Sequence, residues 1–303
     1  MWEHDVSTVR SKRHLFLGGG GVKTLSFIGV LDILGPVQWR HIHGVSAGAI
    51  LALLLVLGHT PHECMRVFLE YEHVLLSCLS LGRLCKGESP CDPKVIRQTV
   101  AHILARKGFS ANTTFETLAS RRSTHLGIMA FCVETSRVVH FTAASHPHVC
   151  ICDALTSSVA LPGLFPPFRP ENGKCSYYDA GIISSAPLSL LNPTDTFAII
   201  VRLRPGVSAS CFPETVHLRC HFRTTIAVEY ALQRGMKILQ VPPLSNGMTL
   251  LTRGHNSPSV CMNMGVYCFV LYVIRAETAG LLILMLCCQS FYGLRRAHGR
   301  LDL

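Results

Sequence analysis

Charge is scarce in this 303-residue chain, where Asp, Glu, Lys and Arg together make up only 15%. With 49% hydrophobic residues beside it, that scarcity excludes a disordered chain, which lacks the apolar surface needed to offset the entropy of folding. The most apolar region, 260–293, is divided by Arg275 and Glu277 into uncharged runs of about fifteen residues, short of the ~20 that span a bilayer as a helix. Buried helices of the same domain are expected there, with membrane attachment as the alternative, helped by Arg295, Arg296 and Arg300 at an acidic surface. No Cys-x-x-Cys occurs among the 14 cysteines, and no apolar leader follows Met1-Trp2-Glu3-His4-Asp5. Reduced cysteines serving as small core hydrophobes in a cytosolic protein are therefore expected. Acidic residues are the scarcer sign: 18 against 28 basic ones leave a formal net charge of +10. A nucleic-acid binder shows more charge, and shows it in stripes, whereas these arginines are scattered. Acidic lipid head groups are the better-matched anionic partner.

The order of elements is informative. Arg13 to Leu17 reads as a strand, Gly18 to Gly21 as a glycine loop, and Val22 to Leu34 as a helix stopped by Gly35-Pro36. A second strand, Gln38 to His43, runs into Gly44-Val45-Ser46-Ala47-Gly48 and a nine-residue apolar core helix, Ala49 to Leu57. Helices follow at His62 to Leu79 and from the Asp92-Pro93 cap to about Arg106, closed by Gly108. Strands at His125 to Val133 and Arg137 to Thr142 form a hairpin, followed by a helix at Asp153 to Ala160 and a central strand at Phe197 to Leu203. A further helix is expected from Glu214 to Arg234. Strands alternating with helices imply an α/β fold, a three-layer sandwich with a central, mostly parallel sheet flanked by helices. Residues 1–12 are expected to be loose, 13–205 to form the core, and 206–303 to continue it as helices.

Gly44-Val45-Ser46-Ala47-Gly48 fits G-x-S-x-G, in which glycines let a strand turn sharply into a helix and leave the serine hydroxyl exposed. A plain tight turn is the alternative, but placement between a strand and an apolar helix favours a nucleophile. A serine nucleophile needs an oxyanion hole, and Gly18 to Gly21 can turn successive backbone N–H groups toward one developing charge. A phosphate loop ending at Lys23-Thr24 would need glycine where Leu17 and Val22 stand, and the dinucleotide fingerprint fails at its last position.

Leu17-Gly18-Gly19-Gly20-Gly21-Val22-Lys23, Gly44 to Ile50, Ser157 to Pro167 and Tyr177-Tyr178-Asp179-Ala180-Gly181, in this order, resemble the patatin-like phospholipases over about residues 13 to 205. The resemblance implies a lipid acyl hydrolase with a Ser–Asp dyad, Ser46 as nucleophile and Asp179 as base. It implies Gly19, Gly20 and Gly21 as the oxyanion hole. Lys23 would support that loop, meet a lipid phosphate, or simply be a solvated helix residue. No metal, cofactor, nucleotide or nucleic acid is implied. The partners would be a lipid substrate and a membrane or lipid-droplet surface approached from the cytoplasm.

Two letters depart from the family pattern: Thr24 and Ala180 both stand where glycine is usual. If the residue after the aspartate needs φ > 0, a Cβ there costs about 1 kcal/mol and displaces the carboxylate. Weakened activity, restored in part by Ala180→Gly, is then expected. A lipid-binding scaffold that kept the fold, and an acyltransferase using the same serine, are the rival functions. The histidines offer two further readings. His41 or His43 could complete a triad with Ser46, and His146, His148, Cys150 and Cys152 alternate in the manner of metal ligands, although a row along one strand makes no tetrahedron.

Overall fold

The computed structural model describes residues 7–77, 80–171, 173–201 and 214–241. The chain divides after Pro243, and all described residues belong to the unit before that point. The apolar region at 260–293 lies outside the described residues.

The segment expected to be loose holds a helical turn over 7–10, and Arg10 donates to the Leu34 carbonyl at 2.8 Å. The following elements are β1 (His14–Leu17), a 3-10 turn at Gly21–Thr24 and α1 (Leu25–Leu34). Gly35, at φ 68°, ends α1, a conformation that glycine adopts without a Cβ penalty. Next come β2 (His41–Val45), α2 (Ala47–Val56), α3 (Pro61–Ser77), α4 (Leu81–Cys85) and α5 (Pro93–Ala105). Two caps fix the starts of α3 and α5. Thr60 and Glu63 bond reciprocally, backbone to side chain, and Asp92 accepts the Lys94 N–H at 2.9 Å. Then follow α6 (Phe115–Arg121), β3 (His125–Cys132), β4 (Arg137–Thr142), α7 (Ile151–Val159), β5 (Tyr177–Asp179), β6 (Thr196–Val201), α8 (Glu214–Gln233) and β7 (Lys237–Val241).

Six strands lie in the order β4-β3-β2-β1-β6-β7, with β5 pairing β3 off this path. The pairs β1–β2, β1–β6, β2–β3 and β6–β7 are parallel, whereas β4 and β5 run antiparallel to β3. This is a mixed, mostly parallel sheet flanked by helices, as the alternation of elements requires. Parallel neighbours need crossovers, and the helices that supply them cover the faces.

One face is covered by α2, whose Gly48, Ala49, Leu51, Ala52, Leu53, Leu54 and Val56 are all buried. A helix apolar on every side must be interior. On the other face, Phe16, Val45, Met129, Ala198 and Ile200 form one core with Val228 and Ala231 of α8 and with Ala180, Ala186 and Leu188. Burying one such large apolar side chain contributes about 1.5–3 kcal/mol. Helix α8 helps to build that core, and beyond residue 205, where helices were expected, β7 extends the sheet as a strand.

Strand β2 also reaches two residues further than the hydrophobic pattern suggests, with Gly44 paired to both Leu17 and Ile128. A Cβ at Gly44 would collide with the backbone of Gly48 and Ala49, and one at Gly48 with the carbonyls of Leu17 and Gly18. Gly44 thus lets helix α2 start directly against β2, and Gly48 lets it approach the end of β1.

Candidate active site

Ser46 sits between β2 and α2 at φ 55°, ψ −130°. It is one of two non-glycine residues with positive φ among those described, the other being Ser136 in the β3–β4 turn. A side chain in this region costs roughly 1–2 kcal/mol, so the surrounding fold must hold it there. Close packing at Gly44 and Gly48 supplies part of that hold, and Ser158 supplies more. The Ser158 hydroxyl accepts the Ser46 N–H at 2.9 Å and donates to the Met129 carbonyl at 2.7 Å, tying the elbow to α7 and β3 together. The sequence marks Ser158 only as part of a shared segment, since nothing local says which way its hydroxyl turns.

Strand β5 delivers the carboxylate. Along one edge of β3, the pairing with β2 ends at Val45↔Met129, and the pairing with β5 begins at Asp179↔Ala130. Strand β4 occupies the opposite edge, so β2 and β5 meet head-on in one lane of the sheet. The residue after Val45 therefore faces the last residue of β5. Asp179 is only 2% exposed, and the Ser46 side chain is its polar neighbour. Burial pushes the Asp179 pKa up to about 6, while the neighbouring Ser46 side chain and the Gly181 N–H pull the other way. The arrangement is a hydroxyl next to a poorly solvated base that titrates near neutrality, which is what proton abstraction requires.

Ala180 does not carry the strain expected of it. Its φ is not positive, and its methyl group is fully buried in the core shared with Ala186 and Leu188. The glycine that matters is the next one. Gly181 N–H donates to Asp179 Oδ1 at 2.7 Å, and a Cβ on Gly181 would stand 3.0 Å from that oxygen. The Ala180 methyl group therefore brings no left-handed strain to the neighbouring carboxylate.

The glycine loop lies alongside, with an ideal Cβ on Gly19 only 3.5 Å from Cβ of Ser46. Its three expected donors are not equivalent. Gly19 N–H already donates to the Ser185 carbonyl at 2.9 Å, which removes it from the oxyanion set. Gly20 and Gly21 have no protein acceptor among the described residues. Gly21 is at φ 56°, a value that turns the chain back into the helix. Lys23 stands in the 3-10 turn, partly buried, and forms no ion pair among the described residues. Thr24 is 1% exposed in the same turn, and its hydroxyl has no partner among the described residues.

The histidines do not join Ser46. His43 is 4% exposed and sits between two histidines, its Nδ1 3.1 Å from His140 Nε2 and its Nε2 3.3 Å from His14 Nδ1. Burial first, then His140, holds its pKa well below the usual value, so it is neutral at physiological pH and its nitrogens are taken. In the alternating set near residue 150 the two cysteines stay neighbours, while the other contacts diverge. His146 bonds Ser145, His148 approaches Glu116 at 3.5 Å, Cys150 donates to the Ala111 carbonyl, and Cys152 is buried in α7.

A family model of the patatin-like phospholipases matches residues 15–192, and the chain belongs to that family. The "Probable lipid hydrolase 463L" of Invertebrate iridescent virus 6 is 26% identical over 184 residues, covering 58% of this chain and 62% of that protein. "Uncharacterized protein R571" of Acanthamoeba polyphaga mimivirus is 24% identical over 188 residues, or 59% and 61% of the two chains. The matched part thus spans about three-fifths of each of these relatives. Among solved structures, VipD from Legionella pneumophila is similar at a TM-score of 0.43 and 15% identity, over 63% of this chain and 50% of that one. ExoU, in its complex with SpcU from Pseudomonas aeruginosa, matches at 0.36 and 18%, over 96% and 64%.

Proposed function

We propose that this protein is a lipid acyl hydrolase that cleaves fatty-acyl esters of glycerolipids through an acyl-enzyme on Ser46. The observation that carries the reading is the strained elbow serine, set by strand register beside a buried carboxylate whose pKa is raised to about 6. Membership of the patatin-like phospholipase family and the name of the viral relative support it.

In the first half-reaction Asp179 takes the Ser46 proton as Oγ attacks the ester carbonyl carbon. The amides of Gly20 and Gly21 hold the oxyanion, where a single donor is worth about 10² to 10³ in rate. Collapse of the tetrahedral intermediate expels the lysolipid or alcohol oxygen, which leaves with the proton held by Asp179. Water then repeats the cycle on the acyl-enzyme and releases the fatty acid. No metal or nucleotide enters these steps. The net charge of +10 favours work at an anionic lipid surface, with the protein peripheral on membranes from the cytoplasmic side.

The test is fluorophosphonate labelling together with fatty-acid release from phospholipid vesicles. Labelling and release should both vanish in Ser46→Ala while the fold is kept. A protein that neither labels nor hydrolyses any ester would be a lipid-binding scaffold. Labelling with acyl transfer to added alcohols in place of water would make it an acyltransferase. Labelling retained in Ser46→Ala would remove Ser46 from the role.

A further inference from the structure

Strand β5 brings a second group of side chains together, away from the dyad. Its antiparallel register pairs Ala130 with Asp179 and Cys132 with Tyr177. The ladder goes on past the strand end, because Val133 N–H donates to the Ser176 carbonyl at 2.9 Å. Cys175 then falls opposite Glu134. Alternation along an extended chain puts Cys132 and Glu134 on one face, and Cys175 faces the same side from across the ladder. The three ligand atoms, two sulfurs and a carboxylate oxygen, all lie within 4.8 Å of one another.

The spacing suits a metal ion. The Cys132 thiol donates to Glu134 Oε2 at 3.7 Å. A tetrahedral zinc with bonds of about 2.3 Å to sulfur and 2.0–2.2 Å to oxygen has ligand-to-ligand edges of roughly 3.5–3.8 Å, so little movement is needed. The carboxylate is already oriented by Ser176 N–H on Oε2 at 2.8 Å and by Arg169 Nη2 on Oε1 at 3.2 Å. Arg169 is itself braced by the Ser176 hydroxyl at 3.0 Å. Such outer partners are what fix and tune a metal ligand. They also balance charge: two thiolates and a carboxylate around a dication leave one negative charge, which the Arg169 guanidinium faces.

We propose that Cys132, Glu134 and Cys175 form a site for a zinc-class divalent cation, with water completing the tetrahedron. Binding exchanges two thiol protons for one metal ion and releases both protons to solvent. The ion clips the β3–β4 turn to the segment that enters β5, four residues before Asp179. Its role is structural, and it does not depend on the proposed hydrolase activity.

The experiment uses the full chain, reduced and stripped of metal, titrated with zinc against a chromophoric chelator and, separately, with cobalt(II). Wild type should take up one equivalent more than Cys175→Ser, and Glu134→Gln should bind at least about tenfold more weakly. Cobalt should give a thiolate charge-transfer band that Cys175→Ser lacks. Zinc at about 100 times its Kd should raise the Tm of wild type by roughly 5–10 °C, and that of Cys175→Ser by much less. Cys175 is only partly buried, so its serine variant keeps the test open should Cys132→Ser fail to fold. Equal uptake by wild type and Cys175→Ser would overturn the proposal. So would a Cys132–Cys175 disulfide in freshly purified protein that takes up no zinc once reduced.

Discussion

Replacing Asp179 by asparagine should make this protein more stable while silencing its chemistry, and the size of the effect follows from burial. The Asp179 carboxyl has its pKa raised from 3.8 to about 6, chiefly by desolvation. The folded state therefore binds this proton more tightly than the unfolded chain does. The stabilisation it brings is complete below pH 3.8 and is lost as pH rises through 6. Above that pH the fold carries a charged carboxylate at a cost of up to about 3 kcal/mol, at 1.36 kcal/mol per pKa unit. Asparagine has no charge to bury. Its carbonyl can still accept the Gly181 N–H, and its amide can donate to the Ser46 hydroxyl. At pH 8 Asp179→Asn should melt about 5–10 °C above wild type, with the gap closing toward pH 4, while ester hydrolysis falls about 10² to 10⁴-fold. In wild type kcat/KM should decline below pH 6 as the base takes up its proton. Thermal melts of both proteins from pH 4 to 8 decide the matter. A variant that melts at or below the wild-type temperature at pH 8, or a gap that does not vary with pH, would refute the reasoning.

Ser46→Gly should be more stable than Ser46→Ala by about 1 kcal/mol, because glycine alone is at ease at φ 55°; equal midpoints in urea would deny strain at the elbow. Ser158→Ala should lower kcat about tenfold with KM unchanged and cost about 1–3 kcal/mol, since it strips the Ser46 N–H of its acceptor. An equal effect on KM would make Ser158 a substrate contact instead of a positioning residue. Ala180→Gly should leave kcat unchanged and lower stability by roughly 1–2 kcal/mol, through the lost buried methyl group and the added chain entropy. A gain in rate would restore the strained-turn argument.

Much of the fold was written in local pattern. The apolar run of α2, the Gly35 stop and the Asp92 cap mark their elements because propensity and capping act within a few residues. The elements that escaped are short or depend on neighbours. Three-residue β5 has too few positions to show a period, and β7 is a strand because β6 offers it an edge. Likewise the capped Thr114–Arg121 turn was not distinguishable from loop.

The site divides along the same line. Residue types and their order are legible along the chain: a glycine loop, a serine flanked by Gly44 and Gly48, and an aspartate two residues before Gly181, each specified by what a backbone without Cβ atoms permits. Tertiary structure alone decided how they combine. It set Asp179 against Ser46 by letting β5 occupy the lane where β2 ends. It turned the Ser158 hydroxyl onto the elbow, and it spent the Gly19 amide on Ser185. It moved the backbone constraint from residue 180 to Gly181 and gathered Cys175 opposite Glu134. Such pairings join residues far apart in the chain, or fix which way a single hydroxyl or amide points. Local propensity carries no information about either, because both are set by strand register and by packing between distant parts of the chain.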